Sequence, residues 1–134
     1  MIEYPCPFCS LSGALFENEL AYVREDKFPA SPGHLLIIPK RHVPDWFSLF
    51  DEEQQALLTL LSRAKEYLDV RYHPDGYNIG INCGKAAGQT VFHVHMHLIP
   101  RYVGDVENPR GGVLGVIADK KDYPSGRQSR GSQR

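Results

Sequence analysis

The stretch Phe92-His93-Val94-His95-Met96-His97-Leu98-Ile99-Pro100 decides how this chain is read. Successive side chains of a strand point to opposite faces, so His93, His95 and His97 are expected on one face and Val94, Met96 and Leu98 on the other, against a core. Same-face neighbours lie about 6–7 Å apart, close enough for imidazoles to divide attack, proton transfer and anchoring among themselves. Histidine has no special preference for strands, and burying an unpaired polar ring costs several kcal/mol. The row therefore points to a site rather than to packing.

Two chemistries use such a row. Imidazoles at alternate positions bind transition metals. Alternatively, one neutral imidazole attacks phosphorus to form a phosphoramidate, which a neighbouring histidine helps to make and break by proton transfer. The preceding loop, Gly84-Lys-Ala-Ala-Gly-Gln-Thr-Val91, favours the second. Glycines let backbone approach a ligand, and consecutive N–H groups with a threonine hydroxyl make a phosphate cradle without net positive charge.

Working outward, the strand is expected to run from Thr90 to Pro100, preceded by a strand at Tyr77–Asn82 that follows the turn His73-Pro74-Asp75-Gly76. His73 reads as a surface turn residue and Cys83 as a free thiol near the loop. One helix is visible, with Asp51 as N-cap, Glu52 and Glu53 in the first turn, Gln54 completing a capping box, and Leu57, Leu61, Ala64 and Leu68 on one face. His34–Pro39 reads as a buried central strand, Lys27–Gly33 as a loop, and Leu15–Asn18 and Leu20–Glu25 as two short strands joined near Asn18-Glu19. The order predicts an α+β domain with a mainly antiparallel five-stranded sheet, one long helix and an irregular N-terminal arm. Beyond Gly104 come loop-like sequence, a short apolar stretch at Val113–Ile117, and a low-complexity polar tail at residues 125–134, expected to be disordered.

The 134 residues suit one domain, assigned to residues 1–124. The net charge is −1, with three arginines in the last ten positions, so the body is mildly acidic. That argues against non-specific nucleic-acid binding through a basic surface. No apolar run approaches the ~20 residues of a membrane span, and the N-terminus lacks the regions of a signal peptide. Three cysteines without an export signal fit a reducing, cytoplasmic setting.

His93-Val-His-Met-His-Leu-Ile-Pro100 resembles the signature of the histidine triad (HIT) family of nucleotide hydrolases and transferases. The likeness extends through Pro32-Gly-His-Leu-Leu-Ile-Ile-Pro-Lys-Arg-His42, Tyr77-Asn-Ile-Gly-Ile-Asn82 and Ala87-Gly-Gln-Thr-Val91, covering about residues 6–103. The resemblance implies that His95 attacks the α-phosphorus of a nucleotide and becomes nucleotidylated, that His97 assists the leaving group, and that His34 orients the site. It places Asn82, Gly88, Gln89 and Thr90 at substrate-binding positions and Asp26 at the ribose hydroxyls. No catalytic cofactor is implied; a homodimer with an extended sheet is. The continuation Pro100-Arg-Tyr-Val-Gly-Asp-Val-Glu-Asn-Pro-Arg-Gly-Gly-Val113 resembles a bacterial branch often assigned to dinucleoside polyphosphate hydrolysis, with adenine nucleotides favoured. Alternatives are an adenosine 5'-phosphoramidate hydrolase, a metal-dependent hydrolase that uses the triad as ligands, and a nucleotide-binding protein without turnover.

Cys6-Pro-Phe-Cys9 has three readings: a redox pair, which needs a following helix to lower a thiol pKa; two ordinary thiols; or half of a tetrahedral structural zinc site completed by two histidines. In some prokaryotic-type members of the resembled family such a pair binds zinc with a histidine after the Pro-Lys segment and the first of the triad. Here these are His42 and His93. Such a site would anchor the arm.

Overall fold

A computed structural model describes residues 5–121. By compactness the chain divides into Met1–Tyr102 and Val103–Arg134. The first unit holds the strands β1 (Phe16–Glu17), β2 (Ala21–Glu25), β3 (Leu35–Pro39), β4 (Gly76–Ile81) and β5 (Met96–Arg101), and one long helix, α1 (Asp51–Tyr72). They form a single sheet in the order β1-β2-β3-β5-β4, every pair antiparallel. This is the expected α+β architecture.

Alternation along the strands divides the sheet into two faces. Ala21, Val23, Leu35, Ile37, Met96 and Leu98 form the main core with α1, which contributes Leu57, Leu60, Ala64 and Leu68. Leu60 takes the place expected for Leu61, which is only partly buried. On the opposite face Tyr22, Leu36 and Ile38 are covered by Phe8, Leu11 and Ala14 of the arm, which has no regular element between residues 5 and 15.

Most strand ends shift by a residue from expectation, and two boundaries differ for reasons visible in their contacts. The helix is capped at Phe50 rather than Asp51, and Glu53, not Gln54, closes the box by accepting the Phe50 N–H at 2.9 Å. Glu53 suits the place because Arg41 binds the same carboxylate through Nε at 2.9 Å and Nη2 at 2.7 Å. The last strand begins at Met96, not Thr90. Its partners explain this: β3 ends at Pro39, β4 ends at Ile81, and both pair with β5 only as far as Met96. Upstream of that point the Val94 N–H bonds to the Val43 carbonyl at 2.7 Å instead of to a ladder.

In the second unit, residues 103–121 carry 3₁₀ turns at Gly112–Val116 and Ala118–Lys120, with Val113, Val116 and Ile117 exposed. The tail at residues 125–134 lies outside the described residues. Among the described residues no helix is long and apolar enough to cross a membrane.

Candidate active site

The ladder fixes the floor of the site. Arg24 pairs with Leu36, Leu36 with His97, and His97 with Gly80, so these four form one row on the face away from α1. Above this row opens a cleft of about 330 Å³ lined by His95, His97, Asp26, Asn82, Gly88 and Thr90 among others. His34 immediately precedes β3. Gly33 has φ +89°, and a Cβ there would lie 3.1 Å from the side chains of Leu68 and Tyr72 and 3.3 Å from that of Pro100. Only glycine makes this turn against α1, and the turn sets the entry of His34.

Hydrogen bonds fix the tautomers of His34, His95 and His97. The Ala30 N–H donates to His34 Nδ1 at 3.0 Å, so the His34 proton sits on Nε2. That proton is donated to His97 Nδ1 at 2.9 Å, which leaves the His97 proton on Nε2. His95 is constrained the opposite way. Its Nδ1–H donates to the His93 carbonyl at 3.0 Å, leaving Nε2 with a free lone pair. The rings of His95 and His97 lie 5.0 Å apart. Two neighbouring imidazoles thus carry complementary functions, one a lone pair and one an N–H.

Burial, followed by the charges of His95 and His34, pushes His97 down to about 4, against the opposing pull of Asp26. Burial also lowers His34, with Asp26 again opposing. Asp26 Oδ2 stands 3.6 Å from His34 Nε2, while Oδ1 accepts the Phe28 N–H at 2.9 Å.

The glycine-rich loop departs from the expected cradle. The N–H groups of Ala87, Gly88 and Gln89 bond to the carbonyls of Gly84 and Lys85, because the segment closes into a 3₁₀ turn at Lys85–Ala87 between two positive-φ glycines. What remains towards the cleft is Asn82, Thr90 and Gly88, where the missing side chain keeps the wall low. Gln89 is buried; its amide donates to the carbonyls of Pro44 and Val91 and its oxygen accepts the Gly84 N–H. Substrate contact by that side chain would require it to exchange these bonds.

His93 is fully buried and does not line the cleft. Its Nε2–H donates to the Pro39 carbonyl at 2.7 Å, which presents an unprotonated Nδ1 to Cys6 Sγ at 3.5 Å and Cys9 Sγ at 3.6 Å. His42 Nδ1 stands 3.2 Å from Cys9 Sγ, and the four donor atoms all lie within 4.8 Å of one another. Tetrahedral zinc with two sulfurs at ~2.3 Å and two nitrogens at ~2.0–2.1 Å sets donor separations of about 3.3–3.8 Å. The donor types, the three sulfur–nitrogen separations of 3.2, 3.5 and 3.6 Å and the tautomer of His93 suit that ion. Partial desolvation and then the adjoining Cys6 sulfur push the Cys9 thiol up. No helix follows the pair, so the arrangement a redox C-x-x-C requires is missing.

The triad is therefore split. Among the described residues His93 groups with Cys6, Cys9 and His42, His97 groups with Asp26 and His34, and His95 belongs to neither cluster. A single metal held by all three histidines, one of the expected alternatives, does not match this arrangement. The sequence reading missed Phe8, Arg24 and Phe28, which also line the cleft. For Phe8 the available signal was its place between the two cysteines; Arg24 emerges only from the register.

Fold and site together define a single-sheet α+β protein with a histidine-lined cleft beside a Cys₂His₂ cluster. The HIT domain model matches residues 11–104, and the chain belongs to that family. It is 40% identical over 108 residues to an uncharacterised HIT-like protein of Mycoplasma pneumoniae, covering 76% of this chain and 75% of that one. It is also 40% identical over 97 residues to the bis(5'-adenosyl)-triphosphatase of Dictyostelium discoideum, covering 72% of this chain and 65% of the relative. Among solved structures, a HIT family protein from Bacillus anthracis superposes with a TM-score of 0.71 at 34% identity, covering 75% of this chain and 76% of the other.

Proposed function

We propose that this protein hydrolyses dinucleoside polyphosphates at the α-phosphorus through a covalent nucleotidyl-His95 intermediate. The observation that carries the reading is the opposed tautomers of His95 and His97: a free Nε2 lone pair beside an Nε2–H on the same cleft wall. The name of the Dictyostelium relative supports the substrate class.

In the first step His95 Nε2 forms a bond to phosphorus and the bond to the leaving phosphate oxygen breaks. The positive charge that develops on His95 is met by the His93 carbonyl at Nδ1–H. His97, made an imidazolium by the phosphate charge that enters beside it, gives its Nε2 proton to the leaving oxygen, and Asp26 Oδ2, 4.0 Å from Nδ1, balances the Nδ1–H that the imidazolium carries. In the second step water attacks phosphorus, the P–N bond breaks, the water proton passes to His97, and a nucleoside monophosphate leaves. Asn82 and Thr90 hold the phosphates, Gly88 admits them, and Asp26 Oδ2 takes the ribose hydroxyls. Gln89 keeps the loop in shape.

Zinc held by Cys6, Cys9, His42 and His93 would supply a structural cross-link between the arm and the start of the triad segment. The active form is proposed as a cytoplasmic homodimer. The β4 edge, where Ile79 is 52% exposed, is the side on which a second copy would extend the sheet.

The test is intact-mass spectrometry after brief mixing with a dinucleoside tetraphosphate, a dinucleoside triphosphate or an adenosine phosphoramidate, alongside steady-state rates. Wild type should gain one nucleotidyl group and turn over a polyphosphate fastest, while His95→Ala should do neither and keep its fold. Full activity in His95→Ala would overturn the mechanism, and a phosphoramidate turned over fastest would overturn the substrate class.

A further inference from the structure

Arg24 is a buried cation that the proposed reaction leaves unused. It is 9% exposed, and β2 sets it on the cleft wall in the row that it shares with Leu36 and His97. Nη1 donates to the Pro7 carbonyl at 3.2 Å, the Tyr22 oxygen stands beside the guanidinium, and the Phe8 ring centroid is 5.7 Å away. Among the described residues no carboxylate forms an ion pair with it. A guanidinium carries five N–H donors and no acceptor. None of the Arg24 nitrogens is both sealed from solvent and unbonded, so the donors without a protein partner open onto the cleft. A ligand that enters strips water from those donors and must supply acceptors in its place.

Building on the nucleotide reading, we propose that Arg24 selects the base of the substrate, favouring guanine or hypoxanthine over the adenine that the family resemblance suggests. Arg24 precedes Asp26 by two positions, so the two side chains share the cleft face about 6–7 Å apart. With phosphorus at His95 and the ribose hydroxyls at Asp26, the base is left to the part of the wall that carries Arg24 and Leu36. Guanine and hypoxanthine present O6 and N7 as adjacent acceptors, which match a guanidinium fork. Adenine presents N7 beside an amino group that donates, as the arginine does. Adenine therefore leaves Arg24 donors stripped of water and unmet, and a site of this kind discriminates by that penalty.

The experiment is calorimetric titration of the full chain with GMP, IMP and AMP. Wild type should bind GMP about tenfold more tightly than AMP, with IMP within about twofold of GMP because it keeps O6 and N7 and lacks only the 2-amino group. Arg24→Met keeps the apolar stem and removes the donors, and its GMP-to-AMP affinity ratio should fall to about one. Arg24→Lys keeps the charge and a donor for the Pro7 carbonyl but not the fork, and should lose most of the preference as well. The ratio is the quantity read, because a shift of the arm after loss of the Pro7 bond weakens all three nucleotides together. Should Arg24→Met fail to fold, the wild-type order and the Arg24→Lys ratio carry the test. AMP bound as tightly as GMP, IMP bound like AMP, or a wild-type ratio kept in either variant would overturn the inference. Failure of wild type to bind any of the three would overturn the nucleotide reading beneath it, so the two failures are distinguishable.

Discussion

Protonation of His97 should govern the acid limit of this fold. Its side chain is 22% exposed, with His34 Nε2 at 2.9 Å and Asp26 Oδ2 at 4.0 Å from Nδ1, and the His95 ring 5.0 Å away. Burial and the two imidazoles hold its pKa at about 4, against 6.5 for an ordinary histidine. Because the folded value is the lower one, the unfolded chain takes the proton first. The stability contribution is full above pH 6.5 and is lost as pH falls from there through about 4. Linkage across that window gives about 2 kcal/mol between pH 7 and 5 and about 3 kcal/mol when complete. For a chain of this size the first figure is about 6–10 °C in melting temperature.

His97→Asn removes the titration while leaving an oxygen to accept the His34 Nε2–H. Urea unfolding of both proteins at pH 7, 6 and 5 should show the wild-type loss reduced in the variant by about 2 kcal/mol. The residual slope, common to both, comes chiefly from His34 and His93, which burial also lowers. Parallel pH dependence in the two proteins would refute the assignment of this acid sensitivity to His97.

The same depressed pKa implies proton uptake when phosphate charge enters the cleft: AMP titrations at pH 6 should give heats that vary with the buffer's ionisation enthalpy, and invariance would show that His97 stays neutral. Gly33→Ala combines left-handed backbone strain with contacts of 3.1–3.3 Å to three side chains, and should cost about 2–4 kcal/mol in urea unfolding; a loss below about 0.5 kcal/mol would discount the crowding. Chelation should lower the melting temperature, and free zinc at a hundredfold excess over its dissociation constant should restore about 3 kcal/mol; a melting curve indifferent to both would exclude the metal.

The β3 run and the amphipathic pattern of α1 were readable because burial imposes a period, and period survives in sequence. Errors fell at ends. The strand expected from Thr90 starts at Met96 because a strand continues only where a neighbour offers a ladder, and the pairing of both β3 and β4 with this strand stops at Met96. Glu53 displaced Gln54 as the box residue because Arg41, twelve positions upstream, needed a carboxylate at that spot. The structure sets part of the glycine-rich loop along the cleft, but the fate of its N–H groups depended on a 3₁₀ turn that composition does not specify.

Sequence by itself singled out the candidate residues: the alternating histidines, His34 after its Pro-Gly turn, and the cysteine pair, since these residue types at such spacing match no packing pattern. Tertiary structure alone decided how they divide. Whether an imidazole is a lone pair or a proton donor depends on the atom opposite its other nitrogen. Those atoms, the carbonyls of His93 and Pro39 and the N–H of Ala30, belong to backbone that the fold brings into place.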